Sequence, residues 1–161
     1  MPVPLILDTD IGIDVDDALA LCLAALDPRF ELRAVTTVNG DTQKRAQVAR
    51  ALLRVCGRED VPVGAGASSP IDGRTHTTMP LAYVDAHEVQ GLVAEPHPPA
   101  HEVLAAALEA ASSRDPVTVC TIGPVTNVAS FLNARPDLLD RVARVQMMGG
   151  PLTGGAASRP G

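Results

Sequence analysis

Aromatic residues are almost missing from this 161-residue chain: there is no Trp, one Tyr and two Phe, 2% in all. Its core must therefore be assembled from Ala, Val and Leu, within an overall hydrophobic content of 46%. Basic clusters are missing too. With 13 Lys and Arg against 19 Asp and Glu the net charge is −6, which argues against nucleic acid and anionic membrane as partners. Cysteine is scarce. Cys22, Cys56 and Cys120 lie in apolar segments with no Cys-x-x-Cys pair, the pattern of buried free thiols in a reducing compartment rather than of catalysis or disulfides. No apolar run approaches the roughly 18 residues needed to span a bilayer. Pro2 to Leu7 is too short for a signal peptide. No His-Glu-x-x-His zinc motif occurs, and Pro98-Pro99 forbids a helical metal pair between His97 and His101. These absences point to a soluble cytoplasmic protein.

What is present alternates. Val3 to Leu7 is an apolar run ending in Asp8, as expected of a buried parallel strand, and Asp16 to Leu26 has a helical pattern stopped by Asp27-Pro28. Phe30 to Val38 is strand-like. Thr42 to Cys56 suits a helix with Lys44, Arg45, Arg50 and Arg54 on its wet side, ended by Gly57. Val61 to Val63 is a short third strand. From Gly64 to Pro99 no period holds, the mark of a functional lid or a partly disordered stretch. A helix from His101 to about Arg114, a strand from Val117 to Ile122 and a helix through Thr126 to Leu132 follow. Pro136 to Asp140 is a turn or short helix, and Val142 to Met148 a fifth strand. Strands alternating with helices predict an α/β fold. We expect a Rossmann-like open, mainly parallel sheet of about five strands with helices on both faces, spanning residues 1–150. Residues 151–161 are expected to form a flexible tail.

The stretch that carries chemistry is Asp8-Thr9-Asp10-Ile11-Gly12-Ile13-Asp14-Val15-Asp16-Asp17, five carboxylates within ten residues between a strand and a helix. Like charges so close disfavour joint ionisation, so the acids must point apart, stay protonated or share a cation. Hard cations such as Ca²⁺ and Mg²⁺ take oxygen ligands, and sites in open α/β sheets lie outside the carboxyl ends of the strands. Asn39 to Asp41, Gly123 to Asn127 and Gly149-Gly150 are expected at the same rim.

These residues resemble the inosine–uridine-preferring nucleoside hydrolases. Asp8-Thr9-Asp10-x-Gly12 with Asp16-Asp17-Ala18 is similar to the family's aspartate signature. Thr36-Thr37-Val38-Asn39-Gly40, Gly123-Pro124-Val125-Thr126-Asn127 and Met147-Met148-Gly149-Gly150 follow in the family's order, so the likeness runs from about Val3 to Gly150. It implies hydrolysis of the N-glycosidic bond of a ribonucleoside, with a Ca²⁺ holding the ribose diol and a water. It further implies Asp10 as metal ligand and general base, Asp17 as metal ligand, and the backbone carbonyl of Ile122 as a third ligand. Asp16 would bond a ribose hydroxyl, with Asn39 and Asp41 as further substrate-binding positions.

The chain also departs from the family. The acidic loop is two residues longer than the shortest family form, Asp41 stands where many members carry Asn, and His87-Glu88-Val89-Gln90-Gly91 lacks one Gly of the lid sequence. Family members are longer, and their second halves supply further ribose contacts, another metal aspartate and an acid for the leaving base. The chain is therefore expected to correspond to the N-terminal half of such an enzyme.

Plainer roles compete. Clustered acids at a helix start commonly serve capping and dipole compensation, to which Asp14 is assigned, with Asp14 or Asp16 as the cap. Asp8 is expected to hold its loop by accepting backbone N–H bonds, and Thr126 and Asn127 to cap a helix. Two other functions stay open. One is a haloacid-dehalogenase-like phosphatase with Asp8 as nucleophile. The other is a non-catalytic half-domain that binds Ca²⁺ or needs a partner chain. Association with further copies of the chain is left open.

Overall fold

The computed structural model describes residues 1–71 and 96–149. In chain order these form β1 (Val3–Thr9), α1 (Val15–Leu26), β2 (Phe30–Thr37), α2 (Thr42–Val55), β3 (Val63–Ala65), α3 (Ala100–Glu109), β4 (Val117–Thr121) and α4 (Thr126–Ala134). A 3₁₀ helix (Pro136–Arg141) and β5 (Val142–Met147) complete them. The strands make one sheet in the order β3-β2-β1-β4-β5, and every pairing is parallel. The expectations for the lid-like residues 87–91, Gly150 and the tail lie outside the described residues.

Side chains on a strand alternate between the two faces, and over β1 to β4 both faces of this sheet are covered. Leu5 and Leu7 of β1 join Leu32 and Val35 of β2 in a core closed by Leu21, Ala24 and Ala25 of α1 and by Ala46, Ala49 and Leu53 of α2. Ile6 and Ala34, on the opposite face, meet Val103, Leu104 and Leu108 of α3 with Val128 and Phe131 of α4. That is why β1 reads as an unbroken apolar run. The helices after β1 and β2 thus cover one face, and α3 and α4 the other. The connections from β1 and β4 leave in opposite directions although the two strands are neighbours. Such a switch point opens a crevice at the carboxyl ends of the strands.

Several expectations are corrected. The third strand is Val63–Ala65, two residues beyond Val61 to Val63, because Pro62 has no N–H to donate and only its carbonyl bonds Val35. The stretch from Gly64 is accordingly tied down at both ends: Ala65 N–H donates to Pro98 O at 2.8 Å. α3 stops at Glu109 rather than Arg114, since Ser112 accepts the Asp115 N–H with both its side chain and its carbonyl and turns the chain before Pro116. The three cysteines are free thiols, as expected, but half-buried rather than buried. Cys22 and Cys56 lie on the seam between α1 and α2, with their Sγ atoms 3.7 Å apart.

Candidate active site

β1 delivers the acidic stretch to the crevice, and its register decides what each acid meets. Asp8 pairs across the sheet with Thr36 of β2 and Thr121 of β4. Their hydroxyls donate to it, Thr36 Oγ1 to Oδ1 at 2.6 Å and Thr121 Oγ1 to Oδ2 at 3.4 Å. Asn127 Nδ2 adds a third bond to Oδ1 at 2.8 Å. Asp8 is fully buried. Desolvation outweighs these donors, and the nearby Asp10 charge adds to it, so the carboxyl is pushed up to about 6. The expectation of backbone donors is corrected: Asp8 is held by side chains, because strand pairing takes up the neighbouring N–H groups. The burial also removes the phosphatase reading, since a carboxylate sealed beneath the sheet edge cannot attack a phosphorus atom.

Asn127 is not a helix cap. Val125 occupies that position and no side chain caps the helix. Besides Asp8, the Asn127 amide donates to Thr37 O at 2.9 Å, and its oxygen accepts the Ala67 N–H at 2.8 Å. One side chain thus joins β1, β2 and the loop after β3. A Cβ on Gly66 would lie 2.2 Å from Asn127 Oδ1, so glycine there is required by the closeness of the amide. Thr126 is buried beside it at the start of α4.

The exposed side of the crevice holds the remaining candidates. Asp10 is half-buried, and its Oδ1 lies against Gly123, where a Cβ would come within 2.9 Å of both that oxygen and the Asp10 nitrogen. Asn39 takes a left-handed conformation (φ 72°), tolerable for Asn, which brings its Nδ2 to 3.5 Å from Asp10 Oδ2. Asp17, in the first turn of α1, accepts from Thr9 Oγ1 at 2.5 Å, and Thr9 in turn accepts the Ile11 N–H. Burial raises the Asp17 carboxyl above its ordinary value, and the Asp10 and Asp16 charges push in the same direction. Ile122 extends the end of β4 and donates its N–H to Asp8 O at 2.8 Å, which sets its peptide beside the root of the acidic loop. Asp10, Asp17, Asn39 and the Ile122–Gly123 turn are therefore brought together.

Asp14 is the N-cap residue of α1, but its side chain makes no cap bond. Asp14 and Asp16 are exposed, and the Asp16 charge acts on Asp17 beside it. Asp41 caps α2 by accepting the Lys44 N–H at 3.2 Å and pairs with Lys44 Nζ at the same distance. Among the described residues no three His, Cys, Asp or Glu side chains converge to hold an ion. The donors present, two carboxylates and backbone carbonyls, are all hard oxygens of the kind that suits Ca²⁺ or Mg²⁺.

One residue was misplaced from the sequence. Arg45, expected on the wet side of α2, is 2% exposed. Its Nε donates to Asn39 O at 2.6 Å, and its Nη1 to Ile11 O at 2.8 Å and to Asp10 O. Burial lowers the guanidinium below its usual range, opposed by the charges of Asp10, Asp17 and Asp41. The helical period itself carried the signal, because Arg45 shares a stripe with Thr42, Ala46, Ala49 and Leu53, all buried. Of its neighbours, Lys44 and Arg54 are exposed as expected, and Arg50 is half-buried.

The sequence and the fold are similar to those of known proteins. The chain is 34% identical over 164 residues to the pyrimidine-specific ribonucleoside hydrolase RihA of Escherichia coli, a match covering 94% of this chain and 50% of that enzyme. It is 33% identical over 156 residues to an uncharacterized protein of Schizosaccharomyces pombe, covering 91% and 48%. Its fold resembles an inosine-guanosine nucleoside hydrolase (TM-score 0.76, 28% identity, 93% and 48% covered). A purine-preferring ribonucleoside hydrolase from Gardnerella vaginalis is similar too (TM-score 0.71, 26% identity, 92% and 49% covered). The chain spans about half the length of these relatives. The sequence model of the inosine-uridine preferring nucleoside hydrolases matches residues 5–160, and the chain belongs to that family.

Proposed function

We propose that this chain carries the aspartate half of a Ca²⁺-dependent site that hydrolyses the N-glycosidic bond of ribonucleosides, releasing base and ribose. The observation that carries this reading is the meeting of Asp10 and Asp17 beside the end of β4, in a family whose relatives include ribonucleoside hydrolases. Asp10, Asp17 and the Ile122 carbonyl would hold the ion. When bound, Ca²⁺ would acidify a water and fix its direction. Asp10 then takes the proton of the attacking water, while Asn39 steadies its Oδ2. Asp16 accepts a ribose hydroxyl. Asp41 is the outermost ribose contact, exchanging part of its cap bond for a hydroxyl. Glycosidic cleavage passes through an oxocarbenium-like transition state, which a cluster of carboxylates stabilises electrostatically. We place the chain in the cytoplasm, where its free thiols stay reduced.

A binding role without turnover is the second reading, favoured by the donor count, since Ca²⁺ takes 6–8 oxygens. Ribose release from a panel of nucleosides, with and without a calcium chelator, separates the two. Hydrolysis predicts chelator-sensitive release that Asp10→Asn lowers by roughly 10²–10⁴-fold. Binding alone predicts no release, but calorimetric Ca²⁺ uptake that Asp10→Ala and Asp17→Ala abolish. Unchanged uptake in both variants would sink the metal assignment.

A further inference from the structure

We propose that Arg45 is a positioning residue that locks the loop after β1 to the loop after β2, so that Asp10 and Asn39 are aligned before any ligand arrives. Burying a guanidinium is costly unless its donors are satisfied. Arg45 is almost wholly buried, yet no carboxylate among the described residues lies within ion-pair distance of it. Among the described residues its bonds go instead to three backbone carbonyls, those of Asp10 and Ile11 in one loop and Asn39 in the other. A planar fork of donors suits this task, and a lysine ammonium, a single point charge, cannot span both loops in the same way.

The choice of acceptor matters. Because Asp10 is gripped by its carbonyl, both its carboxylate oxygens stay out of the guanidinium's reach and face Asn39 and the Gly123 turn. The segments so held are ones the chain would not hold unaided. Gly12 and Gly40 have φ of 122° and 68°, and Asn39 lies between Gly40 and β2 with φ 72°. Asn and Gly reach these conformations without strain but reach others as readily, so the choice among them falls to tertiary bonds. Arg45 also sets a positive charge near Asp10, Asp17 and Asp41. Charge and geometry make opposite predictions for cation binding. A positive charge beside the acids repels a cation, whereas alignment of the ligands favours one.

The proposal rests on the nucleoside-hydrolase reading only for its catalytic consequence; the locking of the loops stands apart from it. Two variants, Arg45→Lys and Arg45→Met, decide the matter with two readouts on the whole chain. In chelator-treated protein, amide hydrogen exchange at residues 10–12 and 39–40 should accelerate by at least about tenfold in both variants, with the amides of Ile6 and Val119 unchanged. In calcium titration, both variants should bind at least about tenfold more weakly than wild type. Wild-type behaviour of Arg45→Lys would show that charge alone suffices and overturn the proposal. Tighter Ca²⁺ binding by Arg45→Met would overturn it in favour of repulsion. Acceleration spread equally over the core amides in both variants would make Arg45 a folding residue, which also overturns it. Should wild type take up no Ca²⁺, the proposed function fails, while the exchange data still decide for or against the loop lock.

Discussion

Asp8 and Asp10 stand two residues apart and have opposite surroundings. Asp8 is sealed among Thr36, Thr121 and Asn127, whereas Asp10 opens to the crevice. Burial lifts the Asp8 carboxyl from 3.8 to about 6. Its folded value therefore exceeds the unfolded one. The stability it contributes is full below about pH 4 and is lost as pH rises through 6. Asp8→Asn should remove this dependence. The amide oxygen keeps the bonds from Thr36 and Asn127, and the new N–H₂ can donate to Thr121, whose hydroxyl already reaches Gly123 O at 3.1 Å. In calcium-free buffer we expect Asp8→Asn to be at least as stable as wild type at pH 8, by up to about 2–3 kcal/mol, and to lose the advantage by about pH 4. Asp8→Ala, which leaves buried donors unsatisfied, should lose about 2–4 kcal/mol at pH 4 and less at pH 8, where it too removes a buried charge. Urea denaturation across this pH range measures both, and an Asp8→Asn variant much weaker than wild type at pH 8 would refute the account.

At the scale of elements, the site is a matter of strand ends meeting. Parallel pairing of β1 with β2 and β4 places Asp8 level with Thr36 and Thr121, and the α4 residue Asn127 ties the strand ends to the loop after β3. The tie depends on Gly66. Gly66→Ala forces the Asn127 amide out of place, since its Cβ would sit 2.2 Å from Oδ1. We expect a loss of about 2–4 kcal/mol from overpacking together with broken bonds to Asp8, seen in thermal or urea unfolding. A neutral result would mean that the loop after β3 moves freely of α4. Most elements were legible in advance because strand runs and helical periods are local signals. The errors fell where neighbours far along the chain decide the outcome. Arg45 bonds carbonyls 34 and 35 residues away, and Asn127 bonds Asp8 at a separation of 119.

Over the whole molecule, β5 is the exception to a covered sheet. It lies at one edge, and Ala143 to Met147 are exposed on both faces, with Val145 and Met147 on one of them. A parallel strand is ordinarily buried on both faces, and a bare apolar edge is a template for pairing. The chain on its own is therefore expected to self-associate in a concentration-dependent way, and the double substitution Val145→Lys with Met147→Lys to return it to monomer. Sedimentation velocity tests this. Monomeric wild type at high concentration would show that the edge is tolerated.

The sequence by itself determined the α/β alternation, the five strands in their order along the chain, and the gathering of acids, amides and glycines at strand ends, because periodicity and turn chemistry act over a few residues. It was also enough for the family likeness, which rests on motifs read in order. Only the tertiary structure decided the spatial order β3-β2-β1-β4-β5 and hence the crevice between β1 and β4. It alone decided that Asp8 is sealed while Asp10 is open, that Asn127 is a bolt rather than a cap, and that Arg45 turns inward. Each of these is set by which strands and loops become neighbours. That is a global balance of burial and hydrogen bonding, and no local stretch of sequence encodes it.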